Sequence, residues 1–132
     1  MMRAVTDNRV HDIMLKLTNL FLKDSNILFA ILFGSHVQKK QKNSDIDVAI
    51  YFKKPPEGLK LLRLINMLSN QTGKEVDLVV LNDASAFLTH QVMKYGIPLT
   101  IKDRNIYGRF REKTITDYQE YKFVSGMNVY DR

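Results

Sequence analysis

Three aspartates and one Gly-Ser pair are the residues of this chain whose types and spacing could do chemistry. Gly34-Ser35 closes the run Leu32-Phe33, Asp45-Ile46-Asp47-Val48 follows after nine residues, and Val76-Asp77-Leu78 comes later. Residues two apart on a strand leave the same face, with Cα atoms roughly 6.5–7 Å apart. Asp45 and Asp47 would then share a face. Ile46 would turn into the core and pin the register, because a slip of one residue would bury both acids. Asp77 alternates in the same way with Val76, Leu78 and Val80. If the third strand lies beside the second, three carboxylates converge. Such a cluster repels itself unless something positive sits between the groups. Its hard oxygens suit Mg2+, which takes one or two carboxylates and then phosphate oxygens. Two such ions, roughly 3.5–4 Å apart, stabilise both the attacking and the leaving oxygen of an in-line displacement. On this reading Asp45 and Asp47 hold both metals, and Asp77 completes the one that activates the attacking hydroxyl.

Gly34-Ser35 supplies the other half. A glycine directly after a buried strand lets the backbone turn and approach a ligand closely. The N–H groups that follow, with the Ser35 hydroxyl, can grip the outer phosphates of a nucleotide. Lys39, Lys40 and Lys42 come next and could neutralise triphosphate charge. Taken singly, an Asp-x-Asp on a strand or a Gly-Ser after one signifies little, since both occur on ordinary surfaces. The weight lies in their combination and order.

The elements that must position these residues are legible from periodicity. Val10, Ile13, Met14, Leu17, Leu20 and Phe21 recur at helical spacing, with Thr6 or Asp7 able to cap the helix. Lys23 to Asn26 is a break. Ile27 to Phe33 reads as a buried strand and Ser44 to Phe52 as a two-faced one, with His36 to Asn43 a short helical turn or loop between them. Pro55-Pro56 marks a turn. The leucines from Leu59 to Leu68 predict a helix that buries them, stopped near Gly73. Glu75 to Leu81 is a third strand. Asn82 or Asp83 is placed to cap a helix running through Lys94 to a stop at Gly96, and Ile97 to Ile101 is a short fourth strand. From Asp103 the chain reads as helix almost to its end, with Ile106, Phe110, Ile115, Tyr118, Tyr121 and Met127 in a loose stripe. About 28 helical residues would span ~42 Å, more than a small sheet can cover, so part should project or bind something. The two first strands have no long helical crossover between them. The fold class is therefore α/β, a small mixed sheet flanked by helices with a C-terminal helical tail. Residues 1–102 form the core and 103–132 the extension of a single domain.

The bulk numbers fit this. The chain has 132 residues, room for one modest core, with 45% hydrophobic and 26% charged residues, an ordinary globular composition. It has no cysteine, which excludes disulfides, thiolate nucleophiles and cysteine-based zinc sites. No apolar run approaches the roughly 20 residues of a membrane span, and the first 25 residues are too polar for a signal-peptide core. The expected setting is the cytoplasm. A net charge of +6 fits nucleotides, nucleic acid or an acidic partner, and equally fits plain surface solubility.

These residues together resemble the DNA polymerase β nucleotidyltransferase superfamily: a hydrophobic strand, Gly-Ser, a spacer near ten, Asp-hydrophobic-Asp and a third acid on a later strand. More narrowly, the chain resembles the minimal nucleotidyltransferase (MNT) antitoxins that accompany HEPN-domain toxins. Its size carries that likeness, with the Val76-Asp77-Leu78 strand, the Gly-Ile-Pro-Leu segment at Gly96, and the tail residues Tyr107, Phe110, Arg111, Tyr118 and Tyr121. The resemblance covers about residues 27 to 125. It implies a polymerase β-like core, ATP as substrate, Mg2+, and AMP transfer to a tyrosine of the partner HEPN ribonuclease, which is thereby silenced. Nucleic acid is not required. The resemblance would place Asp45, Asp47 and Asp77 as metal-holding catalytic acids and Gly34 and Ser35 on the nucleotide. Many relatives read Gly-Ser-Arg-Ala-Arg-Gly where this chain has Gly34-Ser35-His36-Val37-Gln38-Lys39, so Lys39 and Lys40 would take over the phosphate contacts.

Two other readings stay open. The acceptor could be a small molecule or an RNA end, although only about 30 residues follow the core and such enzymes usually add an acceptor domain. The chain could instead be a non-catalytic antitoxin that works by contact alone. His11 and His90 read as structural, and His36 as a solvated loop residue. The tail tyrosines fit a partner interface and packing against the sheet equally well.

Overall fold

The computed structural model describes the backbone of residues 2–34 and 46–130, and the side chains of 10–34 and 46–126. Along the chain run α1 (Met2–Leu22), β1 (Ile27–Phe33), β2 (Ile46–Phe52), α2 (Leu59–Thr72), β3 (Val76–Val80), a 3-10 turn (Leu81–Asp83), α3 (Ala86–Tyr95), β4 (Ile97–Ile101) and α4 (Arg104–Tyr130). The sheet order is β3-β2-β1-β4. β1 is antiparallel to both its neighbours, and β3 lies parallel to β2 after the α2 crossover. The expected α/β class with a mixed sheet is thus the observed one.

Alternation decides which residues lie under which helices. Ile46, Val48, Ile50 and Phe52 pack with Leu17 and Phe21 of α1 and Leu68 of α2 on one face. Ala49 and Tyr51 lie on the other, with Phe29, Ile31, Val92 of α3 and Ile106, Tyr107 and Phe110 of α4. β1 is apolar throughout because it is covered on both faces. Its register shifts between Ile27 and Phe29, so Leu28 and Phe29 both turn toward the second face. Phe29 is fully buried there, in an aromatic cluster with Tyr51, Tyr107 and Phe110 at ring separations of 5.2, 5.0 and 5.3 Å. Each such pair adds ~0.5–1.5 kcal/mol beyond area burial and ties the first turns of α4 to the sheet.

Several expectations need correction. α1 starts at Met2, before Thr6 and Asp7. Arg3 and Ala4 are good helix formers, and nothing between them and Thr6 breaks the helix. The second strand begins, among the described residues, at Ile46, and the expected stretch His36 to Asn43 lies outside them. Neither Asn82 nor Asp83 caps α3. Asn82 instead accepts the Phe52 N–H through Oδ1 (3.0 Å) and donates Nδ2 to the Phe52 carbonyl (2.9 Å). Its amide is engaged across to β2, and Ser85 takes the cap, accepting from the Leu88 N–H at 3.1 Å. The leucine stripe of α2 is only partly core. Leu68 is buried and Leu64 packs against the cluster, but Leu59 and Leu62 are 68% and 55% exposed. One helix face meets the sheet, and the leucines outnumber its positions. In α4, Ile106 and Phe110 pack while Ile115 and Tyr121 are exposed. The Met127 side chain lies outside the described residues.

The middle of α4 is held to α3 by a stack of His90 on Tyr118, with ring centroids 3.6 Å apart and planes 7° apart. His90 Nδ1 is buried without a hydrogen-bond partner among the described residues. Burial, with Lys94 and Lys122 nearby, holds the imidazole below its ordinary range. The neutral ring is therefore the one the folded state favours. Its contribution is present above about pH 6.5 and lost as the pH falls below that value. His90→Phe, which keeps a ring on Tyr118, is expected to flatten the fall in Tm between about pH 7 and about pH 5.

Gly73 ends α2 in the left-handed region (φ 71°, ψ 16°), its N–H donating to the Ser69 carbonyl at 2.9 Å. No atom of the described residues lies within 4 Å of a Cβ built there or at Gly108 inside α4. Backbone conformation alone then sets the sign. Gly73→Ala should destabilise by about 1–2 kcal/mol. Gly108→Ala should stabilise by about 0.5–1 kcal/mol. The two urea midpoints are expected to move in opposite directions.

Candidate active site

The site forms where β1 ends and β2 and β3 begin. Asp47 pairs with Phe33 of β1 on one side and with Asp77 of β3 on the other. Directly paired residues of parallel strands point to the same face, and adjacent strands lie ~4.8 Å apart. Asp47 and Asp77 are therefore neighbours by register. Each alternates with buried residues: Ile46 and Val48 flank Asp47, and buried Val76 precedes Asp77. Asp47 is half-buried and Asp77 exposed, so the pair opens to solvent at the rim of the sheet.

Gly34, the residue after β1, has φ +86°. A Cβ placed on it would fall 1.9 Å from Asp47 Oδ2, 2.7 Å from its Cγ and 2.8 Å from its Cβ. The Asp47 carboxylate thus rests directly over the Gly34 backbone. Sequence spacing predicts a glycine turn and an acid pair. That the two are in contact follows from the antiparallel β1–β2 register, which brings the end of one strand beside the start of the other.

Of the residues expected in the site, Gly34, Asp47 and Asp77 are brought together. Asp45, Ser35, Lys39 and Lys40 lie outside the described residues. Among the described residues no three His, Cys, Asp or Glu side chains form a metal-holding group. The two acids that are described have the chemistry a hard divalent cation requires: carboxylate oxygens on one face, adjacent, and open on the side where phosphate oxygens could complete the shell. Sequence reasoning missed Asn82, whose paired hydrogen bonds to Phe52 fix the opposite end of β2 to the turn after β3. No local signal separates that role from a helix cap.

Comparison with known proteins agrees with this geometry. The family described as Polymerase beta, Nucleotidyltransferase matches residues 15–105. Protein adenylyltransferase MntA of Shewanella oneidensis is 37% identical over 91 residues, which are 67% of this chain and 63% of that protein. The match therefore spans just under two thirds of that relative's length. A chain of a crystallised toxin–antitoxin complex with AMP-PNP superposes with a TM-score of 0.77 at 29% identity, over 89% of this chain and 96% of its own. A chain of the toxin–antitoxin complex MntA-HepT gives 0.75 at 26% identity, over 92% and 97%. No helix among the described residues is long and apolar enough to cross a membrane.

The contact of Asp47 with Gly34 makes a test. Gly34→Ala must displace the carboxylate or the turn and holds alanine at positive φ, a cost of roughly 1–3 kcal/mol. Adding Asp47→Ala removes the clash but leaves the backbone strain. The double variant should be more stable than additivity predicts, as a double-mutant cycle of unfolding free energies would read.

Proposed function

The chain belongs to the polymerase β nucleotidyltransferase family, and from that membership we propose that it is an antitoxin protein adenylyltransferase. It transfers AMP from ATP to a tyrosine of a partner HEPN ribonuclease toxin and so neutralises the toxin. The observation that carries this reading is the pairing of Asp47 with Asp77 across β2 and β3, with the Asp47 carboxylate set over Gly34. The adenylyltransferase name of the MntA relative and the AMP-PNP in a structural neighbour support ATP as the nucleotide. The toxin–antitoxin neighbours support a protein as the acceptor.

In this reaction the tyrosyl oxygen bonds to the α-phosphorus while the bond from that phosphorus to the bridging oxygen breaks. Pyrophosphate leaves, and the hydroxyl proton passes to solvent. Gly34 and Ser35 hold the triphosphate by backbone N–H and hydroxyl, with Lys39 and Lys40 on the outer oxygens. The absent Cβ of Gly34 lets the Asp47 carboxylate lie against the same turn whose N–H groups would face the phosphates. Asp45, Asp47 and Asp77 would hold Mg2+, two ions on this reading, which when bound would supply charge to the phosphoryl oxygens and the nucleophile. Fixed carboxylates and backbone donors place the reacting groups before chemistry begins, so little reorganisation remains at the barrier. Residues 103–132 serve as the partner-binding extension of the core formed by 1–102, and the pair works in the cytoplasm.

ATP labelled at its α-phosphate, with Mg2+ and a partner HEPN protein, tests the reading. Label should move to the toxin. Asp47→Asn or Asp77→Asn should each slow transfer on the order of a hundredfold or more, the several kcal/mol that metal-assisted charge stabilisation is worth. Chelation with EDTA should abolish it. An unlabelled toxin in the presence of wild-type enzyme, or acid-to-amide variants that still label and neutralise, would overturn it.

A further inference from the structure

At the other end of β2, four residues along the strand and ~13 Å from Asp47, the same face of the sheet opens again. A cavity of about 380 Å³ lies between the first turns of α4 and the end of β2. Its floor is Tyr51 and Phe110, whose rings are 4.9 Å apart. Its rim carries Lys53, just after the strand, and Arg109 and Lys113 from α4, and no carboxylate of the described residues lines it. Arg109 and Lys113 are one helical turn apart, a like-charge spacing that costs an isolated helix a few tenths of a kcal/mol. Asp117 pairs with Lys113 at 2.7 Å on the side away from Arg109. The Asn82 amide, also lining the cavity, is held rigid by its two hydrogen bonds to Phe52. This opening is separate from the acid pair, because Ala49 and its β1 partner Ile31, which lie between them on this face, are buried beneath the helices.

We propose that this groove is a second ligand site, for a small phosphate ester carried on a planar ring, of the size of a mononucleotide. The cavity volume lies within the ~300–1,000 Å³ typical of small-molecule sites. The arginine presents a planar fork that suits phosphate oxygens, with the lysines as point charges beside it. The aromatic floor offers a face to a ring, which an inorganic anion would leave unused. Occupancy would bridge α4 to the sheet through Arg109 and Tyr51, on the element assigned above to the partner. The site stands on this cavity alone and does not depend on the transfer reaction.

The probe is AMP, titrated without Mg2+ into the full chain and followed by amide and side-chain NMR shifts. Saturable shifts are expected at Tyr51, Asn82, Arg109 and Lys113, with orthophosphate at least tenfold weaker. Arg109→Ala with Lys53→Ala, both exposed positions, should weaken those shifts at least tenfold and leave any response at Gly34 and Asp77 in place. Phe110→Leu, which keeps an apolar side chain but removes the ring, should narrow the preference for AMP over orthophosphate. No shift at the groove residues, shifts that survive the double substitution, or equal affinity for orthophosphate would each overturn the proposal.

Discussion

The contact of one carboxylate with one glycine backbone is the constraint on which the candidate site depends. Asp47 Oδ2 occupies the space a Cβ of residue 34 would need, and residue 34 sits at positive φ. Either fact alone favours glycine. Together they demand it, and they set the end of β1 against the start of β2. The turn after β1 and the acid projecting from β2 are thereby referred to the same few atoms.

That precision rests on a sheet that cannot shift. β1 is flanked by partners on both edges, and a one-residue slip of the alternating strand β2 would carry Ile46, Val48 and Ile50 off their covered face and turn Asp47 into it. β2 is fixed at both ends. Its start is set by pairing with Phe33 and Asp77, and its end by the Asn82 amide bonded to both backbone groups of Phe52. The aromatic cluster around Phe29 then fastens α4 to the same strands. The outer part of that helix, where Phe123 and Val124 are 68% and 54% exposed, extends past these contacts.

Strong periodicity made most of the architecture readable from the sequence. The continuous apolar run of β1, the alternation of Ile46, Val48 and Ile50 with Asp47 and Ala49, and the Gly73 stop follow from local physics: burial, the period of two, and left-handed backbone. Expectations missed where a residue had two uses and tertiary contact chose. Asn82 is as good a helix cap as Ser85, but a strand end within reach offered two hydrogen bonds where a cap offers one. The leucines of α2 all read as core, yet a helix can turn only one face inward, and the sheet determined which.

By itself the sequence determined the α/β class, the element order, and the face of β2 from which Asp47 projects, because each is written in residue type and spacing. It also identified Gly34, Asp47 and Asp77 as residues that belong together. Only the tertiary structure decided that Asp47 and Asp77 are direct partners and that Asp47 lies on Gly34. Strand order and register arise from packing many side chains at once, and a separation of 13 residues between Gly34 and Asp47, or of 30 between Asp47 and Asp77, carries no local mark of it. The same holds for the groove at Tyr51 and Arg109, whose residues lie on separate elements and meet only when α4 folds back on the sheet.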